Sequence, residues 1–243
     1  MVGLLALACT AMASSPAASA TCGTPALVVL DIGHSAAAGG ATSARGKPEY
    51  AFNRRFVREL KSHLEASNAF TVKLINANGG NMPVSRRGAL VGALDGGVFL
   101  SIHHDSVQPQ YLSQWQFEGR TRHYSDLFSG FSLFISRRSA SANDSIVLAR
   151  TIGAALRQAG MRPSLHHGEA IKGENRPLID PANGVFRFDG LAVLKSARVP
   201  AVLVELGVIV NRREEAALED PAYRARLIRA IATALSRFCR NAR

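Results

Sequence analysis

A chain of 243 residues, 47% of them hydrophobic, can bury one sizeable core, and nothing in its length asks for a second domain. Its 29 Lys and Arg against 18 Asp and Glu leave a formal charge of +11, which implies an anionic partner. The arginines are scattered through helical segments rather than gathered into a recognition motif, so no nucleic acid partner is expected.

Residues 1–20 carry no charge, consist mainly of Ala, Leu, Ser, Met and Val, and end in the small-x-small triplet Ala18-Ser19-Ala20. This reads as a signal peptide, although the basic residue that usually opens one is missing. The apolar stretch is too short to span a bilayer, so no stable membrane insertion is expected and the product is read as periplasmic or secreted. Residues 21–243 are left as one domain whose basic surface suits the carboxylates and phosphates of a cell wall; a solvated basic face kept for solubility is the plainer alternative. Cleavage leaves two cysteines, Cys22 and Cys239, at the ends of the mature chain. In an exported protein an even count favours a bridge over two free thiols, and chain termini often lie close together.

Ala26 to Asp31 is an apolar run that reads as a buried strand, closed by Ile32-Gly33-His34. From Tyr50 the residues Phe52, Phe56, Val57, Leu60 and Leu64 recur at helical spacing, with Arg54, Arg55, Arg58 and Lys61 opposite them, so Glu49 starts a helix just after Pro48. Phe70 to Ile75 alternates like a strand, Val84 to Leu94 reads as a helix, and Val98 to Ile102 is a buried strand delivering His103-His104. This alternation predicts an α/β fold: a single domain with a mixed, mostly parallel twisted sheet and helices on both faces. Residues 106–129 are read as a long loop, Phe131 to Ser136 as a strand, Ile146 to Gly160 as a helix and 163–184 as a second long loop. Ala201 to Glu205 is the last strand, and a closing helix over 221–239 carries Tyr223, Leu227, Ile231 and Leu235 on one face.

Four acidic or imidazole side chains fall at element ends: His34, Glu49, His103 and Glu205. Sites in open α/β sheets form outside the carboxyl ends of the strands, so all four can converge on one crevice. Two imidazoles and a carboxylate leave one coordination position open for water, the pattern of catalytic zinc, and an unligated carboxylate is the base such chemistry needs. Glu205 follows an apolar run in which an unpartnered charge would be costly. A lone histidine at a strand end is more often a hydrogen-bonded polar residue than a ligand, so only the constellation carries weight. His63, His123, His166 and His167 read as surface residues. Arg86 could face substrate carboxylates as readily as solvent. Gly33-His34-Ser35 starts like a serine nucleophile elbow, but position 37 is Ala, and the motif is incomplete.

Four ordered blocks then carry a family resemblance. Val29 to His34 is similar to an opening hydrophobic-Asp-Pro-Gly-His; Gly46-Lys47-Pro48-Glu49 leads into a helix; Leu100 to Asp105 is like Ser-Ile-His-Ala-Asn; and Pro200 to Gly207 runs on through Asn211 and Glu214-Glu215. Together they resemble the zinc-dependent N-acetylmuramoyl-L-alanine amidases, and they span nearly the whole mature chain. The resemblance implies that His34, Glu49 and His103 bind zinc, that Glu205 is the catalytic carboxylate, and that the substrate is peptidoglycan, cut between N-acetylmuramic acid and L-alanine. A monomer is expected. Some relatives carry, after the block matching His103, a segment that blocks the site until a protein activator removes it, which makes 106–129 a candidate for shaping the cleft. Ile32, Ser35 and Val208 depart from the family's Pro, Gly and Phe, so the pocket's shape is less closely implied than its ligands. Of His103 and His104, only one can face the crevice, because side chains alternate along a strand; the motif selects His103. The alternatives are a zinc peptidase cutting stem peptides and a non-catalytic wall-binding module, the latter disfavoured because all four site residues are present.

Overall fold

The computed structural model describes residues 22–241. The signal peptide expected over 1–20 lies outside the described residues. Strand β1 (Ala26–Ile32), helix α1 (Glu49–Glu65), β2 (Phe70–Ile75), α2 (Val84–Gly92) and β3 (Val98–Asp105) follow one another as expected. A hairpin of β4 (Ser113–Phe117) and β5 (Arg120–Tyr124) comes next, then β6 (Ser132–Ile135), α3 (Ala142–Gln158), β7 (Leu178–Asp180) and β8 (Val185–Arg187). The chain closes with α4 (Ala192–Lys195), β9 (Ala201–Val208), α5 (Arg212–Glu219) and α6 (Pro221–Asn241).

Seven strands form one sheet in the order β2-β1-β3-β9-β6-β8-β7. The pairs β1–β2, β1–β3, β3–β9 and β6–β8 are parallel, while β6 runs antiparallel to β9 and β7 to β8. The sheet is thus mixed and mostly parallel, with helices on both faces, as expected.

The period-two alternation of the strands sorts their side chains between two cores. Leu30, Leu100, Val202 and Val204 face one side, where they pack with Phe56 and Leu60 of α1, Leu148 and Ile152 of α3, and Leu227 and Ile231 of α6. Val29, Phe99, Ala201 and Leu203 face the other, against Val91 of α2 and Val193 and Leu194 of α4. Each buried Leu or Phe in these layers contributes about 1.5–3 kcal/mol of hydrophobic stabilisation. Cys22 and Cys239 are joined by a disulfide with 5.5 Å between their Cα atoms, linking the segment before β1 to the last turns of α6.

The first helix begins where its sequence directs. Pro48 has an extended backbone, and no side chain caps the helix. The carbonyls of Ala41 and Gly39 instead accept from the N–H groups of Glu49 and Tyr50 at 2.8 and 2.9 Å, so the loop after β1 closes the helix N-terminus.

Two loop expectations are corrected. Residues 106–129 contain the β4–β5 hairpin, whose turn residues Glu118 and Gly119 both have positive φ, as the tightest hairpin turns require. Its strands alternate half-buried Trp115, Phe117, Arg122 and Tyr124 with exposed Gln114, Gln116, Thr121 and His123. The segment 163–184 contains β7, which pairs with the three-residue β8. Helix α3 also starts at Ala142 rather than Ile146, and the short helices α4 and α5 were not expected; Asn211 caps α5, its Oδ1 accepting from the N–H groups of Arg213 and Glu214 at 3.0 Å each.

Candidate active site

The sheet's alternation decides which residues reach the crevice. On β3, Ser101, His103 and Asp105 lie on the same face as Phe99, and on β9 Glu205 lies on the same face as Leu203. The parallel register sets His103 directly beside Glu205. His104 points the opposite way, beneath α1, where its ring lies 5.6 Å from Phe52 and its Nδ1 donates to Asn53 Oδ1 at 2.7 Å. Burial lowers the pKa of His104 to about 3, so it is a neutral packing residue. The selection of His103 over His104 agrees with this geometry.

His34 sits just beyond β1 with φ of 65°, a left-handed conformation that few non-glycine residues adopt. Its carbonyl is gripped from two sides, by Asn76 Nδ2 at 2.6 Å and Arg87 Nη2 at 2.5 Å. Arg87 is also paired with Asp31 at 3.2 Å, and Ser101 Oγ donates to the other Asp31 oxygen. Arg86 is exposed on α2; its neighbour Arg87 is the one that braces the site. Ser35 is buried with its Oγ accepting from the Ala38 N–H at 3.0 Å, so it caps a turn instead of serving as a nucleophile.

Glu49, the first residue of α1, is buried between the two imidazoles. Its Oε2 lies 2.9 Å from His34 Nε2 and its Oε1 2.9 Å from His103 Nδ1. Oε1 also accepts from Asn53 Nδ2 at 3.1 Å and from the His104 N–H at 3.3 Å. Burial works against charge on this carboxylate, but hydrogen bonds to His103 and His34 outweigh it and hold the pKa far below the usual range. Two glycines let the backbone approach: a Cβ at position 33 would stand 2.5 Å from the His103 ring, and one at position 40, where φ is +76°, 2.4 Å from Glu49 Oε2.

The donor atoms of His34, Glu49 and His103 all lie within 4.8 Å of one another. Tetrahedral zinc with bonds of about 2.0–2.2 Å places its ligands roughly 3.3 Å apart, so this set can close on a divalent cation with little rearrangement. His34 and His103 open onto a cavity of about 300 Å³ that reaches Arg87, Leu191 and Leu203. An adjoining cavity of about 170 Å³ shares Leu191 and Leu203 with it and is lined by Glu205, His167, Glu174 and Arg176. The Glu205 Oε2 is enclosed and makes no hydrogen bond among the described residues. Burial, then the negative charges of Asp105 and Glu49, push the Glu205 pKa well above the usual carboxylate range.

Two of the histidines read as surface residues are not. His166 and His167 belong to the segment before β7 and turn inward, where both rings face Asp105. His63 and His123 are exposed, as expected. The signal for the buried pair was their adjacency together with an aspartate two residues past His103, but 62 positions separate His167 from Asp105 and no local pattern links them.

Similarity to known proteins agrees with this geometry. The catalytic domain of CwlV, an N-acetylmuramoyl-L-alanine amidase from Bacillus (Paenibacillus) polymyxa var. colistinus, superposes with a TM-score of 0.63 at 24% identity, covering 87% of this chain and 97% of that one. Ami1 of Mycobacterium smegmatis, an N-acetylmuramyl-L-alanine amidase, gives 0.69 at 22% identity, with 88% and 97% covered. The CwlD amidase of Clostridioides difficile, solved in complex with the GerS lipoprotein, gives 0.66 at 19%, with 88% and 98% covered. At these identities the likenesses establish the fold. A search of curated proteins finds no match. The sequence profile described as N-acetylmuramoyl-L-alanine amidase matches residues 28–237, a span holding every residue of the constellation above, and the chain belongs to that family of peptidoglycan amidases.

Proposed function

We propose that this protein is an exported, zinc-dependent hydrolase of the lactyl amide joining N-acetylmuramic acid to L-alanine, with His34, Glu49 and His103 as the metal ligands and Glu205 as the proton carrier. The observation that supports it most is the meeting of three side chains from β1's end, α1's start and β3 within 4.8 Å, with a fourth, unpartnered carboxylate beside His103.

A bound zinc ion would polarise the scissile carbonyl and acidify water. The protein's part is to place and to shuttle. Glu49 faces the two imidazole nitrogens that would share the ion with it, and Arg87 with Asn76 fixes the backbone beneath His34. Glu205 would take the proton from the attacking water in its ionised form and return it to the departing amine of L-alanine from its protonated form, the form that its enclosed pocket favours. Leu191 and Leu203, which line both cavities, give the space next to this carboxylate an apolar wall.

Export is supported by the buried disulfide between Cys22 and Cys239, a linkage that persists in oxidising compartments. The basic surface suits a wall rich in carboxylates and phosphates.

The test is muropeptide analysis of purified peptidoglycan digested with and without a chelator. The proposal expects intact stem peptides with free N-terminal L-alanine, lost on metal removal and restored by zinc. Cleavage inside the stem would instead identify a peptidase, and unchanged release after exhaustive EDTA dialysis would refute metal dependence. The same assay addresses a protein activator: release by the purified chain alone means that none is needed.

A further inference from the structure

We propose a second divalent-cation site, distinct from the first, formed by Asp105, His166 and His167, with zinc as its ion. The three donor atoms lie within 4.8 Å of one another, and the group shares no residue with His34, Glu49 and His103. Asp105 Oδ2 lies 2.9 Å from His167 Nε2 and 3.4 Å from His166 Nε2. Those spacings bracket the separation of roughly 3.3 Å between ligands of a tetrahedral zinc ion. Two imidazole nitrogens and one carboxylate oxygen form a donor set suited to zinc rather than to magnesium or calcium.

The surroundings of each donor point the same way. Asp105 Oδ1 is already engaged by the Ser106 N–H at 2.7 Å, which leaves Oδ2 facing the imidazoles. Metal-binding histidines almost always give their second ring nitrogen to a carboxylate, carbonyl or hydroxyl that fixes the ring. Here His166 Nδ1 lies 2.9 Å from Ser164 Oγ, and His167 Nδ1 lies 2.8 Å from Glu174 Oε2. Glu174 is itself steadied by Gln108 Nε2 at 2.7 Å. Both Nε2 atoms are therefore turned inward together. His166, only 3% exposed, has an enclosed Nε2 that makes no hydrogen bond among the described residues, an arrangement that is costly unless a ligand meets it.

The position gives the site a role. Asp105 is on β3 and both histidines precede β7, so the ion ties the segment 163–184 to the sheet. That segment forms the wall of the smaller cavity, into which Glu205 and His167 project. Filling the site orders one side of the cleft without occupying the first site.

The test is zinc stoichiometry. The purified full chain is stripped with a chelator, equilibrated with zinc chloride, desalted and assayed by inductively coupled plasma mass spectrometry, with circular dichroism to confirm folding. His166→Ala and Asp105→Asn are each expected to carry one equivalent less than the wild type, and His34→Ala to lose a different one. Equal zinc in the wild type and His166→Ala overturns the proposal, whatever happens at the first site. If either variant fails to fold, anomalous scattering at the zinc edge from wild-type crystals decides: a peak among Asp105 Oδ2 and the two Nε2 atoms supports the site, and its absence refutes it.

Discussion

The disulfide between Cys22 and Cys239 closes a loop of 217 residues, and that length sets how much its removal should cost. In the chain-entropy treatment, a closure of this size removes about 18 cal/mol/K from the unfolded ensemble, or about 5 kcal/mol at 25 °C. Measured bridges more often deliver about 2–4 kcal/mol, because unfolded chains retain some compactness. Unfolding entropy is about 2.1 cal/mol/K per residue near 60 °C, or about 0.5 kcal/mol per kelvin for a chain of this length. Replacing both cysteines by alanine should therefore lower Tm by roughly 4–10 °C. Both cysteines are buried in the main core, so part of any loss could come from the small cavities the sulfurs leave. Additivity separates the two causes. Loop closure is lost completely when either cysteine goes, so Cys22→Ala, Cys239→Ala and the double variant should melt at nearly the same temperature in calorimetry. A double variant that loses the sum of the singles, or one that melts with the wild type, would refute the closure argument.

Glu205→Gln should leave zinc content and folding intact while kcat falls about 10²–10⁴-fold, as expected for a proton-transfer group; retained turnover in a muropeptide-release assay would remove Glu205 from that role. Glu214 offers a pH test away from the cleft. Burial raises its pKa from 4.5 to about 7, although its carboxylate accepts from the Val208 and Gly130 N–H groups. A carboxyl whose folded pKa lies above its unfolded value contributes stability that is complete below pH 4.5 and lost as pH rises to about 7, here roughly 3 kcal/mol. Glu214→Gln cannot titrate, so in urea melts the wild type should lose that much relative to the variant across the same interval; parallel pH profiles would show that the shift is absent.

The strands and the candidate site were readable for different reasons. Ala26 to Leu30, Val98 to Leu100 and Ala201 to Val204 are apolar on both faces because helices cover the sheet on both sides, so each appears in the sequence as an unbroken run. His34, Glu49 and His103 were readable because each directly ends or begins such an element. The hairpin β4–β5 was missed because its strands pack on no core and only their half-buried aromatic face betrays the alternation. At three residues, β8 is too short to show a period, and its place next to β6 follows from tertiary pairing alone. The cluster at Asp105 was missed because its parts are brought together only by folding, and two histidines in a Gly- and Pro-rich stretch give no sign of burial.

Asn53 lies one helical turn beyond Glu49 and is wholly buried. Its amide nitrogen donates to Glu49 Oε1 and to the Gly33 carbonyl, while its oxygen accepts from His104. One forked side chain thus locks the rotation of a helix against the tips of two neighbouring strands. Aspartate at this position would set a second negative group against Glu49, and leucine would take a hydrogen-bond partner from three polar atoms, Glu49 Oε1, the Gly33 carbonyl and His104 Nδ1. The aim of the glutamate is therefore governed by a residue that never meets substrate, and selection for catalysis should bear on position 53 nearly as heavily as on the glutamate itself.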